Sequence, residues 1–295
     1  MDQPVTLRKT SLVGLKISDY AQFSKLRLSV LVVFSAALAF LTAPGEPDWT
    51  RFFLLILGGF LTTASANGFN QVIERDLDKL MTRTSGRPIP DDRMSVKEGI
   101  WFGFASGGLG VFILGHYLNL ASGLLGLLSV MLYTMAYTPM KRKTPFSVFV
   151  GAIPGAIPPL LGWVAATGSF DTGAWVLFSI QFLWQFPHFW AIAWVLDEDY
   201  KKAGFKMLPF GEKNKDAAFQ TLIYTFSLVP LGVIPAIFGI SGWLSAGISV
   251  AAGLLFFWQA WNLFNHLDTV HARKLMFGSF VYLPVVQLVL FLDKA

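Results

Sequence analysis

Apolar residues run along this chain in long blocks divided by short polar connections, with no alternation of the kind that marks half-buried strands. About nine blocks are long enough to cross roughly 30 Å of hydrocarbon as helices. They fall at 28–43, 52–72, 100–115, 118–137, 146–166, 174–196, 219–240, 243–264 and 275–292. The pattern predicts an all-α polytopic membrane protein of about nine transmembrane helices. A polar segment, 1–27, precedes a single membrane domain, 28–292.

Composition strengthens this reading: 54% of the residues are hydrophobic and 14% charged, a balance that excludes an ordinary soluble domain. The first 25 residues lack a short apolar core with a small-residue cleavage site, so no cleavable signal peptide is expected. Zero cysteines exclude disulfides, thiolate metal sites, iron–sulfur clusters and cysteine nucleophiles. Charge then sets the orientation. Of 23 Lys and Arg residues, all but Arg51 and Lys294 fall in the amino-terminal segment or in alternate loops. The positive-inside rule places those loops in the cytoplasm, with the amino terminus inside and the carboxyl terminus outside. A pI near 9.4 follows from that rim of cations against anionic lipid, and calls for no nucleic-acid partner.

Every loop with notable acids and bases lies on this inner side. In the second block Asn70, Glu74 and Asp78 recur every four residues, which on a helix makes one slowly drifting stripe roughly 12 Å long. Amide and carboxylate oxygens in such a stripe suit a hard divalent cation such as magnesium, shared with a diphosphate. Arg83 and Arg87 follow closely and can neutralise remaining charge. Asp76 points away from the stripe and reads as a salt-bridging residue. At the end of the fourth block, Tyr137 and Lys141 stand four apart before Arg142 and Lys143. Three adjacent cations serve as a topological anchor, whereas a phenol beside an ammonium can hold a diphosphate and donate to a leaving group.

The sixth block carries Trp184-Gln185-Phe186-Pro187-His188-Phe189 and runs on to Asp197-Glu198-Asp199-Tyr200-Lys201-Lys202. An ionisable His188 inside an apolar span faces a cavity, or else is a hydrogen-bonded structural histidine. Within the fifth block, residues 151–163 hold small residues at four-residue spacing and three prolines, so the block should pack closely against its neighbours and be kinked.

With those residues in view, the chain resembles the protoheme IX farnesyltransferase branch of the UbiA superfamily of intramembrane prenyltransferases. The first family motif, Asn-x-x-x-Asp-x-x-x-Asp followed by Met-x-Arg-Thr-x-x-Arg-Pro, is similar to Asn70, Glu74, Asp78, Met81, Arg83, Thr84, Arg87 and Pro88. Tyr-x-x-x-Lys falls on Tyr137 and Lys141, and Pro-Pro-Leu-x-Gly-Trp on 158–163. Trp-Gln-x-Pro-His-Phe at 184–189 and Asp-Tyr-x-x-Ala-Gly-x-x-Met-Leu-Pro at 199–209 separate this branch from the quinone branch. The chain departs from the pattern at Glu74 for aspartate, at Leu26, at Ser147, and at Val195, four before Asp199, where a second acidic pair is incomplete.

The resemblance implies a UbiA-type intramembrane bundle in a bacterial plasma membrane, and transfer of a farnesyl group from farnesyl diphosphate to a vinyl group of heme b, giving heme O. It implies magnesium on Asn70, Glu74, Asp78 and Asp199. Arg83, Arg87, Lys141, Arg142 and Lys201 would bind the diphosphate, Tyr137 and Lys141 would serve its departure, and His188 would meet the heme. The product would pass to a heme A synthase or a terminal oxidase. A quinone-type aromatic prenyltransferase and a polytopic transporter are the two other readings that the residues allow.

Overall fold

The computed structural model describes residues 12–295, so the topogenic Arg8 and Lys9 lie outside the described residues. Helix α1 (Leu12–Phe23) meets α2 (Leu26–Thr42) at a 49° bend whose hinge residue, Lys25, sits in the left-handed region at φ 48°. Helix α3 (Trp49–Asp78) is 30 residues long, hence about 45 Å. It outruns the hydrocarbon, which lets its polar last turns, Asn70 to Asp78, emerge at one end. Helix α4 (Val96–Ile113) runs into a π-turn at Leu114–Leu118. Helix α5 (Leu120–Met131) runs into a second π-turn at Leu132–Tyr137 and then the short α6 (Thr138–Met140). Next come α7 (Ser147–Thr167), α8 (Thr172–Val195) and the short α9 (Asp197–Lys202). A 3₁₀ turn at Pro209–Gly211 precedes α10 (Lys215–Leu231), α11 (Ile234–Ile237), α12 (Trp243–His266) and α13 (Thr269–Leu292).

Among the described residues, seven helical segments are long and apolar enough to span a bilayer, and eight if the bent α1–α2 pair is one span. This falls short of the nine expected. Helix α8 is long enough at 24 residues, but Gln181, Gln185, Pro187 and His188 dilute its apolar character. The outer surface of the bundle exposes Trp101, Phe104, Leu120, Met135, Trp243 and Leu255. In water such a belt would drive aggregation; around a multi-pass membrane protein it is the lipid-facing wall.

Helix starts follow from local chemistry. Asp48, Ser95, Asn119, Asp171, Asn214 and Asp268 each accept a hydrogen bond from a first-turn amide of the helix that follows. The connections sort to two ends. At one end, contacts join Asp19 to Arg93, Glu74 to Lys141, the Thr82 amide to Asp199, and Asp197 to Lys213. At the other, Lys294 donates to Leu41 O, Arg51 to Leu118 O, and Asn119 to Val164 O. All the basic loops traced in this way belong to the first end, and Arg51 and Lys294 to the second.

Helix α7 is the spine, largely buried between α2, α5 and α8 although three prolines lie within it. Its small residues permit this. A methyl group built on Gly162 would lie 2.0 Å from Ala36 O of α2, and one on Gly155 would lie 1.9 Å from Gln185 Oε1 of α8. One on Gly151 would lie 2.6 Å from the Tyr137 ring. Backbone approach of this kind is how helices gain dispersion energy where lipid removes the hydrophobic drive between them.

Candidate active site

A cavity of about 590 Å³ opens from the acidic end of α3 and runs into the bundle between α2, α3, α7, α8 and α13. The four-residue spacing on α3 turns Asn70, Glu74 and Asp78 into it, with exposures of 1%, 4% and 0%. Asp76, about half a turn away from the stripe, is exposed beside Arg75.

Carboxylates so deeply buried require partners. Lys141 supplies one: its Nζ is 2.9 Å from Glu74 Oε1 and 3.1 Å from Oε2. The second π-turn and Pro139 end the preceding helix so that this lysine folds back over the Tyr137 ring, 4.7 Å from its centroid. Arg87 Nη1 donates to Asp78 Oδ2 at 2.6 Å. Asn70 links the stripe laterally, donating to Glu74 Oε2 at 2.8 Å and to Thr138 Oγ1 at 3.2 Å. Its own Oδ1 accepts from Lys25 Nζ at 3.2 Å. Lys141 lies just beyond the span Leu120–Met140. Burial disfavours its charge, but Glu74 outweighs this and leaves its pKa above the ordinary lysine value.

Four cations, Lys25, Arg83, Arg87 and Lys141, thus line the mouth around two carboxylates. The guanidinium of Arg83 makes no ion pair among the described residues. An excess of fixed positive charge in a low-dielectric cleft suits a polyanion.

The oxygens here are of the kind magnesium takes. Asp78 Oδ1 is buried without a hydrogen bond, so one hard oxygen remains uncommitted. No group of three Asp, Glu or His side chains converges on a metal position among the described residues. The donor set is therefore two carboxylates and an amide, which fits a magnesium ion that completes its shell with diphosphate oxygens and water.

Three expected residues stand elsewhere. Asp199 does not line the cavity. The chain breaks helix after Val195, and α9 directs the Asp199 carboxylate to the backbone amides of Thr82 at 3.3 Å and Arg83 at 3.2 Å. Lys202 Nζ reaches the same carboxylate and Thr82 Oγ1. Asp199 therefore joins the two helix ends from the rim rather than adding an oxygen to the stripe. Lys201 is exposed and paired with Asp197 at 2.8 Å, and Arg142 is exposed near Gly204. Neither lines the cavity.

Some lining residues carry no clear signal in the sequence. Lys25 looks like one more topological anchor before an apolar run; only the bend between α1 and α2 turns it inward. Gln181, Gln287 and Ser35 form a buried relay, Gln287 donating to Gln181 Oε1 at 2.8 Å and Ser35 to Gln287 Oε1 at 3.0 Å. His188, which the sequence does single out, lines the cavity two turns inside α8, stacked on Trp184 at 4.4 Å and 2.7 Å from Ser279 Oγ.

Comparison with known proteins agrees with this geometry. The profile of the UbiA prenyltransferase family matches residues 30–283. The chain is 47% identical over 277 residues to a Cytophaga hutchinsonii protein named protoheme IX farnesyltransferase, covering 93% of this chain and 97% of that one. It is 44% identical over 283 residues to a protein of the same name from Christiangramia forsetii, covering 94% of each. Among solved structures, a digeranylgeranylglyceryl phosphate synthase superposes with a TM-score of 0.80 at 18% identity, covering 95% of this chain and 98% of that one. A UbiA homolog from Archaeoglobus fulgidus bound to GPP and Mg2+ superposes with a TM-score of 0.71 at 16% identity, covering 92% and 99%. At such identities the structural likeness speaks for the fold alone.

Proposed function

Since this chain belongs to the UbiA prenyltransferase family, we propose that it transfers the farnesyl group of farnesyl diphosphate to a vinyl group of heme b, giving heme O. The observation that carries the reading is one continuous cavity, with a cation-rich mouth over Asn70, Glu74 and Asp78 and with His188 in its wall. The near full-length relatives named protoheme IX farnesyltransferase supply the acceptor and the donor.

Lys25, Arg83, Arg87 and Lys141 bind the diphosphate. Asn70, Glu74 and Asp78 would hold magnesium against it. Magnesium, when bound, supplies electrostatic stabilisation of the charge that grows on the departing diphosphate. Lys141 and Arg87, now paired with Glu74 and Asp78, can exchange those carboxylates for diphosphate oxygens, and the carboxylates would then be available to hold a metal ion. Tyr137, buried beside Lys141, stands where a phenol can donate to the leaving oxygen. Its ring, with those of Tyr133, Phe189 and Phe280, faces the allylic cation that remains. The vinyl π electrons attack the first carbon of that cation. Water captures the resulting porphyrin-side cation and loses a proton, leaving the hydroxyl of the product. The apolar cavity walls keep water from the farnesyl cation before the vinyl group reaches it.

The protein spans a bacterial plasma membrane with its amino terminus in the cytoplasm, α2 and α8 completing nine crossings. The active-site mouth then opens on the side where farnesyl diphosphate is dissolved. The iron of heme b is met by His188, and heme O leaves for a heme A synthase or a terminal oxidase. Purified protein supplied with farnesyl diphosphate and magnesium tests the acceptor: heme b is consumed and aromatic acids are not. Prenylation of 4-hydroxybenzoate or a naphthoate with heme b untouched would move the protein to the quinone branch.

A further inference from the structure

Ser279 on α13 is fully buried and meets α8 through both of its oxygens. Its backbone carbonyl accepts from Trp184 Nε1 at 2.9 Å, and its hydroxyl lies 2.7 Å from His188 Nδ1. The hydroxyl oxygen is also 2.5 Å from the carbonyl oxygen of Met276, one turn earlier.

Proton counting resolves the direction of these contacts. A carbonyl oxygen only accepts, so two oxygens 2.5 Å apart require the serine proton between them. Ser279 has no second proton, so its contact with His188 has to be filled by a proton on Nδ1. A neutral imidazole with hydrogen on Nδ1 carries a bare lone pair on Nε2. That nitrogen has no hydrogen-bond partner among the described residues, and it is not sealed off within the wall. The ring is held in place by Trp184 stacked at 4.4 Å and Phe280 edge-on at 5.1 Å, and both of these side chains line the cavity with it.

We propose that Ser279 is a positioning residue: by taking the Nδ1 proton it fixes the tautomer and angle of His188, so that Nε2 ligates the iron of heme b. The inference rests on the heme reading above and adds the device that enforces it. Histidines that bind metals commonly donate their other nitrogen in this way, which raises their basicity and sets their orientation. Here the device also ties the ligand to α13, so the iron position follows that helix. A heme anchored through its iron can pivot only about the Fe–Nε2 axis, which limits which vinyl group reaches the cavity mouth.

The test is resonance Raman spectroscopy of full-length protein in nanodiscs loaded with ferrous heme b. Wild type gives an iron–histidine stretching band, and His188→Ala removes it. Ser279→Ala lowers the frequency of that band, because the Nδ1 hydrogen bond is lost, and weakens heme binding by about tenfold. Ser279→Cys keeps the volume but offers a weaker acceptor, so it shifts the band less in the same direction and serves even where the alanine variant is unstable. A band unchanged in both Ser279 variants overturns the proposal while the heme reading stands. So does heme that binds wild type and His188→Ala with the same axial ligand. Wild type that binds farnesyl diphosphate but no heme overturns both.

Discussion

Lys141 and Glu74 form a buried ion pair, Nζ to Oε1 2.9 Å, although 67 residues separate them and neither is more than 9% exposed. Such a pair is costly to halve. Lys141→Met leaves the buried Glu74 charge without a cation, with only the Asn70 amide still donating to it, and should cost about 3–5 kcal/mol of stability along with all measurable turnover. Adding Glu74→Gln removes the stranded charge, so the double variant should recover most of the melting temperature and none of the activity. Melting curves in detergent, read beside product formation, separate the two effects. An active Lys141→Met would remove this lysine from the diphosphate site.

Lys25 contacts Asn70 from the far side of the mouth. Lys25→Ala should raise KM for farnesyl diphosphate by about tenfold, the size expected when one charge-assisted hydrogen bond is lost. Heme affinity should not change. An unchanged KM would mean that Lys25 only braces the bend between α1 and α2.

Asp199 grips the Thr82 and Arg83 amides from outside the cavity. Asp199→Ala should therefore loosen the loop that carries Arg83 and raise KM by about tenfold, while kcat stays within reach of wild type. Turnover as completely lost as in Asn70→Ala would instead make Asp199 a direct ligand. The hydrogen bond from Lys202 leads the causes that hold the Asp199 carboxyl below the usual carboxylate range, with the two amides adding to it. An acid depressed on folding stabilises the protein above its unfolded pKa of roughly 3.9 and loses that contribution as pH falls through its folded pKa. The tether should accordingly hold through neutral and mildly acidic pH, with any acid loss of substrate affinity confined to pH values below that range.

Gly162 lets α7 touch the backbone of α2 at Ala36. Because the obstacle is a carbonyl oxygen and not a flexible side chain, Gly162→Ala should destabilise the bundle by about 1–3 kcal/mol. Gly108, with nothing near a built methyl group, is the matched control and should tolerate the same change. Equal melting temperatures for the two variants would contradict the close packing of α7.

The stripe of Asn70, Glu74 and Asp78 was legible because a helical repeat settles which residues share a face. Only apolar length was needed to foresee most spans. The polar content of α8 blurs its status as a span for the same reason that it is informative: Gln181, Gln185 and His188 line the cavity. Asp199, Lys201 and Arg142 were not resolved by sequence, because their directions depend on the break after Val195 and on the loop at 203–208, where no periodicity applies. Lys25 was hidden by context. A lysine before an apolar block anchors topology in any membrane protein, and only the bend between two helices distinguishes an inward one. Ser279 offers no motif; its part arises from a contact 91 residues away in sequence.

Mass spectrometry of heme pigments extracted from a heme O-deficient bacterial host tests the central claim most directly. The host would express either the wild-type protein or Asn70→Ala, at matched membrane levels. The wild-type extract should contain heme b plus a species heavier by one farnesyl group and one hydroxyl group, and the variant extract heme b alone. A wild-type extract without that species, or a variant that forms it in equal amount, would contradict farnesyl transfer at the site built around Asn70, Glu74 and Asp78.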